Sequence, residues 1–278
     1  MPVSNQMIDR WLEEDVPYFD LTTRLLGIGR QTGSISYFCR HAVTLSCMED
    51  AERILERQNL HVTNCLPSAT QAAAGEVFLR GEGTLEDIHT AWKVTQNLLE
   101  YACGISTRTR NLVDTARAVN PEIAVLTTRK SFPGTKQISI QAVLAGGAKP
   151  HRLGLSETIL IFDHHLRYMG GFEGLAARLP ALKTSVCDKA IAVEVDTLEH
   201  ALLLARAGVD ALQFDKVQPD RLTEMVRQIR AENPHVRLIA AGGINIENAA
   251  AYAVSGVDAL STTWVYFGKP ADLSVKME

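Results

Sequence analysis

Short clusters of ionisable residues and glycines recur along the second half of the chain, each at the end of an apolar run. They are Thr128-Arg129-Lys130, Asp163-His164-His165, Glu194 with Asp196, Asp215-Lys216, Gly242-Gly243 and Thr262-Thr263. A further cluster, Lys149-Pro150-His151-Arg152, precedes the second of those runs. Arginine meets carboxylate and phosphate with paired hydrogen bonds, and lysine supplies a compact charge. Gathered on one rim, Arg129, Lys130, His151, Arg152 and Lys216 fit a substrate that is anionic at more than one point. Gly242-Gly243 offers backbone N–H groups to a phosphate, although a tight turn explains a glycine pair equally well. Glu194 lies between Val193 and Val195 and is expected to point inward. A buried carboxylate needs a cation or hydrogen-bond donors. It would hold ribose hydroxyls or Mg2+ together with Asp215, or else form a structural ion pair with an internal lysine or arginine. His151, His164 and His165 match no zinc spacing such as HExxH, and adjacent histidines at a strand end would point apart.

The elements that must position these residues are periodic from about residue 122. The apolar runs span 122–128, 158–163, 190–196, 209–215, 236–243 and 257–263, with helical segments between them. They are continuous rather than alternating, as in parallel strands covered on both faces. Gly208-Val-Asp-Ala-Leu212 recurs as Gly256-Val-Asp-Ala-Leu260, an echo of 48 residues, or two βα units of about 24. That size predicts a (β/α) barrel, closed or open, with function at the carboxyl ends of the strands. A dinucleotide-binding sheet is disfavoured because no GxGxxG follows the first run.

The first third reads as α+β. Ser4 caps a helix bearing Ile8, Trp11 and Leu12, and strand-like runs follow at 33–40, 61–65 and 76–83. Ser46 is the expected cap of a helix between the first two runs. Thr84 to Asp87 has the form of a capping box opening a long helix striped by Ile88, Ala91, Thr95, Leu98 and Ala102. Gly104 and the Ser/Thr-rich residues after it mark a change of pattern.

The chain has 278 residues, 46% hydrophobic and 22% charged, enough for a sizeable core. Lys plus Arg is 28 and Asp plus Glu is 32, a net charge of −4 that argues against a whole-surface nucleic-acid binder. The five cysteines are odd in number and lack CxxC, so they read as small buried hydrophobes in a reducing cytoplasm. No signal peptide and no membrane-spanning run are read, so the expected location is cytoplasmic.

Residues from about 100 to 265 resemble quinolinate phosphoribosyltransferase, also called nicotinate-nucleotide pyrophosphorylase. The strings that carry the resemblance are Gly104-Ile-Ser-Thr-Arg-Thr-Arg110, Thr128-Arg129-Lys130-Ser131 with Pro133-Gly134, Gly146-Gly147 through Gly154, Glu194-Val-Asp196, Asp215 and Gly242-Gly243-Ile244. Upstream, Glu14-Asp15 and Asp20-Leu-Thr-Thr23 add to it. The details are most like the ModD-like branch, linked to molybdate-transport operons. The resemblance implies an N-terminal α/β sandwich domain over residues 1–110, joined by the tail 268–278, and an open, incomplete barrel of TIM type over 111–267. It implies transfer of ribose 5-phosphate from phosphoribosyl pyrophosphate (PRPP) to the ring nitrogen of a small carboxylated heterocycle, with Mg2+, in a homodimer with shared sites. Quinolinate, with decarboxylation, is the family's acceptor. Lys130, Glu194 and Asp215 would be catalytic, the last two also holding Mg2+. Arg129, His151 and Arg152 would bind the acid, Arg110 would reach the partner's site, and Gly242, Gly243 and Thr263 would take the 5-phosphate.

The departures concern the acceptor and the phosphate contacts. A substrate-site lysine of the family is Phe162 here, beside His164, and an asparagine after the ribose-binding aspartate is Lys216. The glycine pair follows Ala241 instead of serine, and a later phosphate-contacting glycine is Thr263. These changes keep two alternatives open: an anion-binding or regulatory protein that retains the fold without transfer, and a Schiff-base lyase using Lys130 or Lys216.

Overall fold

The computed structural model describes residues 2–278. It separates into two compact units, one of Met1–Arg110, Ser131–Gly147 and Val265–Glu278, the other of Asn111–Lys130 and Ala148–Trp264. In chain order the elements begin with α1 (Asn5–Asp15), α2 (Leu21–Leu26), β1 (Thr32–Cys39), β2 (Val43–Thr44), α3 (Met48–Arg57), β3 (His61–Cys65), β4 (Gln71–Ala72), β5 (Val77–Thr84) and α4 (Leu85–Arg117). Then follow β6 (Ala124–Thr127), α5 (Lys136–Ala145), β7 (Lys149–Pro150), β8 (Ile159–Ile161), α6 (Asp163–Leu166), α7 (Gly171–Ser185), β9 (Ile191–Val195) and α8 (Leu198–Arg206). The series closes with β10 (Ala211–Asp215), α9 (Pro219–Glu232), β11 (Arg237–Ala241), α10 (Ala249–Ala253), β12 (Ala259–Thr262) and β13 (Leu273–Met277).

In the first unit the strands β13-β1-β5-β3 form an antiparallel sheet. The tail strand β13 pairs with β1 from Ile35–Met277 to Cys39–Leu273, so the C-terminal strand lies in this unit. Ile35, Tyr37, Phe78 and Leu79 of the sheet pack with Ile54 of α3 and Leu99 of α4. Ser4 caps α1 as expected, accepting the Met7 N–H at 3.2 Å. Thr84 likewise accepts the Asp87 N–H at 3.2 Å, and its hydroxyl donates to the Asp87 carboxylate.

Three local expectations are corrected. Ser46 does not cap α3: Cys47 occupies that position at φ 59°, and the Met48 N–H is bonded instead by Ser68 Oγ at 3.1 Å. This cap comes from 20 residues away, and Glu49 holds it by accepting from the Ser68 hydroxyl at 2.6 Å. Gly104 does not interrupt the long helix, which runs on to Arg117. Its lack of a side chain serves a close crossing, because a Cβ there would lie 3.1 Å from Ala271 N and Lys269 O of the returning tail. Cys187 is exposed, whereas Cys39, Cys47 and Cys103 are buried as expected. Burial pushes the Cys47 and Cys103 thiols up to about 12.

The second unit is a parallel sheet in the order β7-β6-β12-β11-β10-β9-β8. β7 and β8 follow one another in the chain yet lie at opposite edges, so the barrel is open between them. The repeated Gly-Val-Asp-Ala-Leu acquires a structural meaning here. Asp210 accepts the Ile191 N–H at 2.8 Å and Asp258 accepts the Leu238 N–H at 2.7 Å, each capping the start of the neighbouring strand. Asp258 is also gripped by Arg230 at 2.7 Å to each oxygen, and Asp210 by Lys183 at 2.7 Å. Among the described residues no helix is long and apolar enough to cross a membrane.

Candidate active site

The expected clusters lie at the carboxyl ends of the parallel strands. Thr128, Arg129 and Lys130 follow β6, and Lys130 N–H is held by the Thr128 hydroxyl at 3.3 Å. The cluster at 149–152 contains a strand that sequence reading missed. Lys149–Pro150 pairs with Leu126–Thr127, and the His151 N–H continues to Thr127 O at 2.9 Å. Two residues bounded by proline carry too little periodicity to announce a strand.

Glu194 occupies the inward face of β9. Its neighbour in register on β10 is Gln213, which is buried and donates from Nε2 to Glu194 Oε2 at 2.9 Å. Burial pushes the Glu194 carboxyl above its ordinary range, and the Gln213 bond opposes this. The charge of Asp215 raises it further, while Lys130 and His164 pull it down. Residues on or just after three strands, β6, β8 and β10, thus act on this one carboxylate of β9. Among the described residues no lysine or arginine forms an ion pair with Glu194, whose direct partner is the Gln213 amide. Gln213 escaped sequence reading because a single amide inside an apolar run carries no pattern of its own.

Asp215 and Lys216 end β10. Lys216 has φ 59° and donates its N–H to Ala241 O at 2.9 Å, with Nζ 4.0 Å from Asp215 Oδ2. Gly242 packs against this pair: a Cβ on it would fall 2.5 Å from Asp215 Oδ1 and 2.7 Å from Lys216 N. Gly242 also has φ 84°, so both space and backbone demand glycine there. Gly243 has φ 77° but open space around it. Asn248 donates to Gly243 O at 3.0 Å and accepts the Asn245 N–H at 2.9 Å, which shapes the loop after the glycines. The Thr263 hydroxyl pairs with that of Thr128 at 2.9 Å, tying the ends of β12 and β6.

On the cationic side, burial and then the charge of Arg129 lower the Arg152 guanidinium. Burial, followed by Arg152, pushes the His151 imidazole below its usual range and leaves it neutral at pH 7. His164 and His165 sit on the single turn α6, and their rings lie together with centroids 4.3 Å apart, contrary to the expectation that they diverge. Phe162 stacks on His164 at 5.3 Å, and its N–H donates to His165 Nδ1 at 3.0 Å. Arg110 lies on α4 in the first unit and is not among the residues the second unit assembles.

Among the described residues no group of three or more His, Cys, Asp or Glu side chains is gathered to hold a metal. Glu194 and Asp215 alone suit an ion of the Mg2+ kind, which takes one or two carboxylates and completes its shell with phosphate and water.

Comparison with known proteins identifies the family. The family model for the quinolinate phosphoribosyl transferase N-terminal domain matches residues 20–103, and that for the C-terminal domain matches 105–276. ModD of Rhodobacter capsulatus, which carries a pyrophosphorylase name, is 40% identical over 240 residues, covering 86% of this chain and 92% of that protein. Human nicotinate-nucleotide pyrophosphorylase (carboxylating) is 25% identical over 272 residues, covering 98% and 90%. The structure of the nicotinate-nucleotide pyrophosphorylase from Francisella tularensis superposes with a TM-score of 0.89 at 24% identity, covering 98% of this chain and 95% of that one, and so shares the fold. The chain belongs to the quinolinate phosphoribosyltransferase family and is a pentosyltransferase of the nicotinate-nucleotide pyrophosphorylase type.

Proposed function

We propose that this enzyme transfers ribose 5-phosphate from PRPP to the ring nitrogen of a small carboxylated heterocycle and releases pyrophosphate. The observation that carries the reading is the convergence of Lys130, Asp215 and His164 on the half-buried Glu194, beside the Gly242 turn. Breaking the bond between ribose C1 and pyrophosphate leaves positive charge on the sugar and negative charge on the leaving group. Glu194 and Asp215 face the cationic sugar and hold its hydroxyls, while Lys130 steadies the pyrophosphate. Catalysis of this kind is electrostatic and positional. Mg2+ held by Glu194 and Asp215 would supply further charge to the pyrophosphate. The backbone of Gly242 and Gly243, with Thr263, takes the 5-phosphate.

Arg129, His151 and Arg152 bind the acceptor's carboxylate, and Lys216 adds charge from β10. The Phe162–His164 stack offers the acceptor ring an aromatic face. Quinolinate, with decarboxylation, is the first acceptor to test, and a setting beside molybdate transport is part of the same proposal. The enzyme works in the cytoplasm as a homodimer in which Arg110 completes the partner's site.

The test is incubation of the purified protein with PRPP, Mg2+ and a panel of pyridine and related acids. Pyrophosphate release with at least one acid is expected. Tight PRPP binding by calorimetry, with no release for any acceptor, would overturn transfer in favour of an anion-binding protein that retains the fold.

A further inference from the structure

The barrel unit contains a second hollow that shares only His151 with the residues proposed for the strand-end chemistry. Its volume is about 890 Å³ and its walls include Ala124, Ala192, Ala211, Ile239 and Ala259 on the inner faces of five strands. Alanine at four of these five positions leaves the interior unfilled, where bulky branched residues commonly fill such barrels. Ala192, Ala211 and Arg237 are cross-strand neighbours in one register row of β9, β10 and β11. Arg237 begins its strand, so this row places an exposed cation at the amino-end rim, away from the Lys130–Glu194 mouth.

The charge at that rim is not balanced. Asp258 is the one carboxylate lining the hollow, and Arg230 already takes both its oxygens at 2.7 Å. Arg237 has no side-chain hydrogen bond or ion pair among the described residues. The connection 151–158 runs from one edge strand to the other, and within it Arg152 Nη1 reaches Thr158 O at 3.4 Å. Two side-chain atoms of this connection, His151 Nε2 and Thr158 Oγ1, are buried without a hydrogen-bond partner, and both residues line the hollow. Buried polar atoms are normally satisfied, so two orphans on one cavity wall point to a group that reaches them.

We infer that this hollow binds a small amphiphilic carboxylic acid. Its carboxylate pairs with Arg237 at the rim, its apolar body lies along the alanine walls, and a hydroxyl or similar polar group reaches Thr158 and His151. The class follows from the lining: a free cation at the entrance, apolar walls, and a polar patch inside.

Calorimetry with octanoate, 8-hydroxyoctanoate and octanol tests the inference on the full chain. Octanoate is expected to bind one to one, 8-hydroxyoctanoate more tightly, and octanol about tenfold more weakly than octanoate. Arg237→Gln should weaken octanoate about tenfold and leave octanol unchanged. The double variant A211L/A259L fills the hollow and should abolish binding of all three. If it does not fold, judged by circular dichroism and melting, Ala192→Leu tests the same wall. Saturating pyrophosphate should leave octanoate binding intact, which separates this site from the strand-end mouth. No binding of any probe, binding that survives the filled variants, or displacement by pyrophosphate would each overturn the inference. None of these outcomes bears on whether PRPP transfer occurs.

Discussion

Gln213 donates a 2.9 Å hydrogen bond to Glu194 from the adjacent strand, in register with it, inside a half-buried carboxylate environment. Burial raises the Glu194 carboxyl, and this bond is the largest effect acting against it. The amide therefore lowers the pH above which the site holds an anion. Gln213→Leu removes the donor, so the acid limb of the kcat/KM profile should move to higher pH. Well above that limb the variant should approach the wild-type rate. An unmoved limb would remove Gln213 from this role.

The same raised carboxyl makes a stability prediction. Its folded value lies above its unfolded one, so ionisation opposes folding. Stability is fullest below the unfolded value, near the ordinary 4.5, and declines as pH rises through the folded value. Glu194→Gln removes the ionisation. Its melting temperature should exceed that of the wild type at pH 8, and the gap should close as pH falls towards 4.5. A gap that stays constant with pH would show that Glu194 does not titrate as its surroundings require.

Lys130→Ala should lower turnover by about a thousandfold while leaving the melting temperature nearly unchanged, because the side chain is exposed. Pyrophosphate release under saturating PRPP is the measurement. Wild-type rates would remove Lys130 from the transfer step.

The two glycines after β11 should respond differently. Gly242→Ala combines a left-handed backbone with a Cβ 2.5 Å from Asp215 Oδ1, so it should displace Asp215 and abolish PRPP binding. Gly243→Ala meets only the backbone strain, about 1 kcal/mol or more, and should retain binding. Calorimetry with PRPP, alongside melting, distinguishes them. Equal losses would mean that the close approach to Asp215 is unimportant.

Asp258→Ala strips the Leu238 N–H and Arg230 of one shared acceptor and should cost about 2 kcal/mol by urea unfolding. Asp210→Ala should cost less, because its partner Lys183 is more exposed than Arg230. A larger loss at Asp210 would contradict this ranking.

Much of the molecule was legible in the chain itself. Apolar runs without alternation announced parallel strands, because a strand covered on both faces needs no polar side. Their strand-end clusters named Lys130, Glu194, Asp215 and Gly242, since charge at the end of an apolar run has few structural uses. The 48-residue echo announced repeated βα units, although its aspartates proved to be strand caps. Tertiary structure decided what depends on partners distant in sequence. The Met48 N–H is capped by Ser68, Gly104 is small because the tail crosses it, and Gln213 matters because register sets it beside Glu194. The open edge between β7 and β8 and the unfilled interior belong to the same class. Local pattern records which face of an element is apolar. It does not record which neighbour meets that face, and that pairing fixed the ionisation of Glu194, the crossing at Gly104 and the hollow inside the barrel.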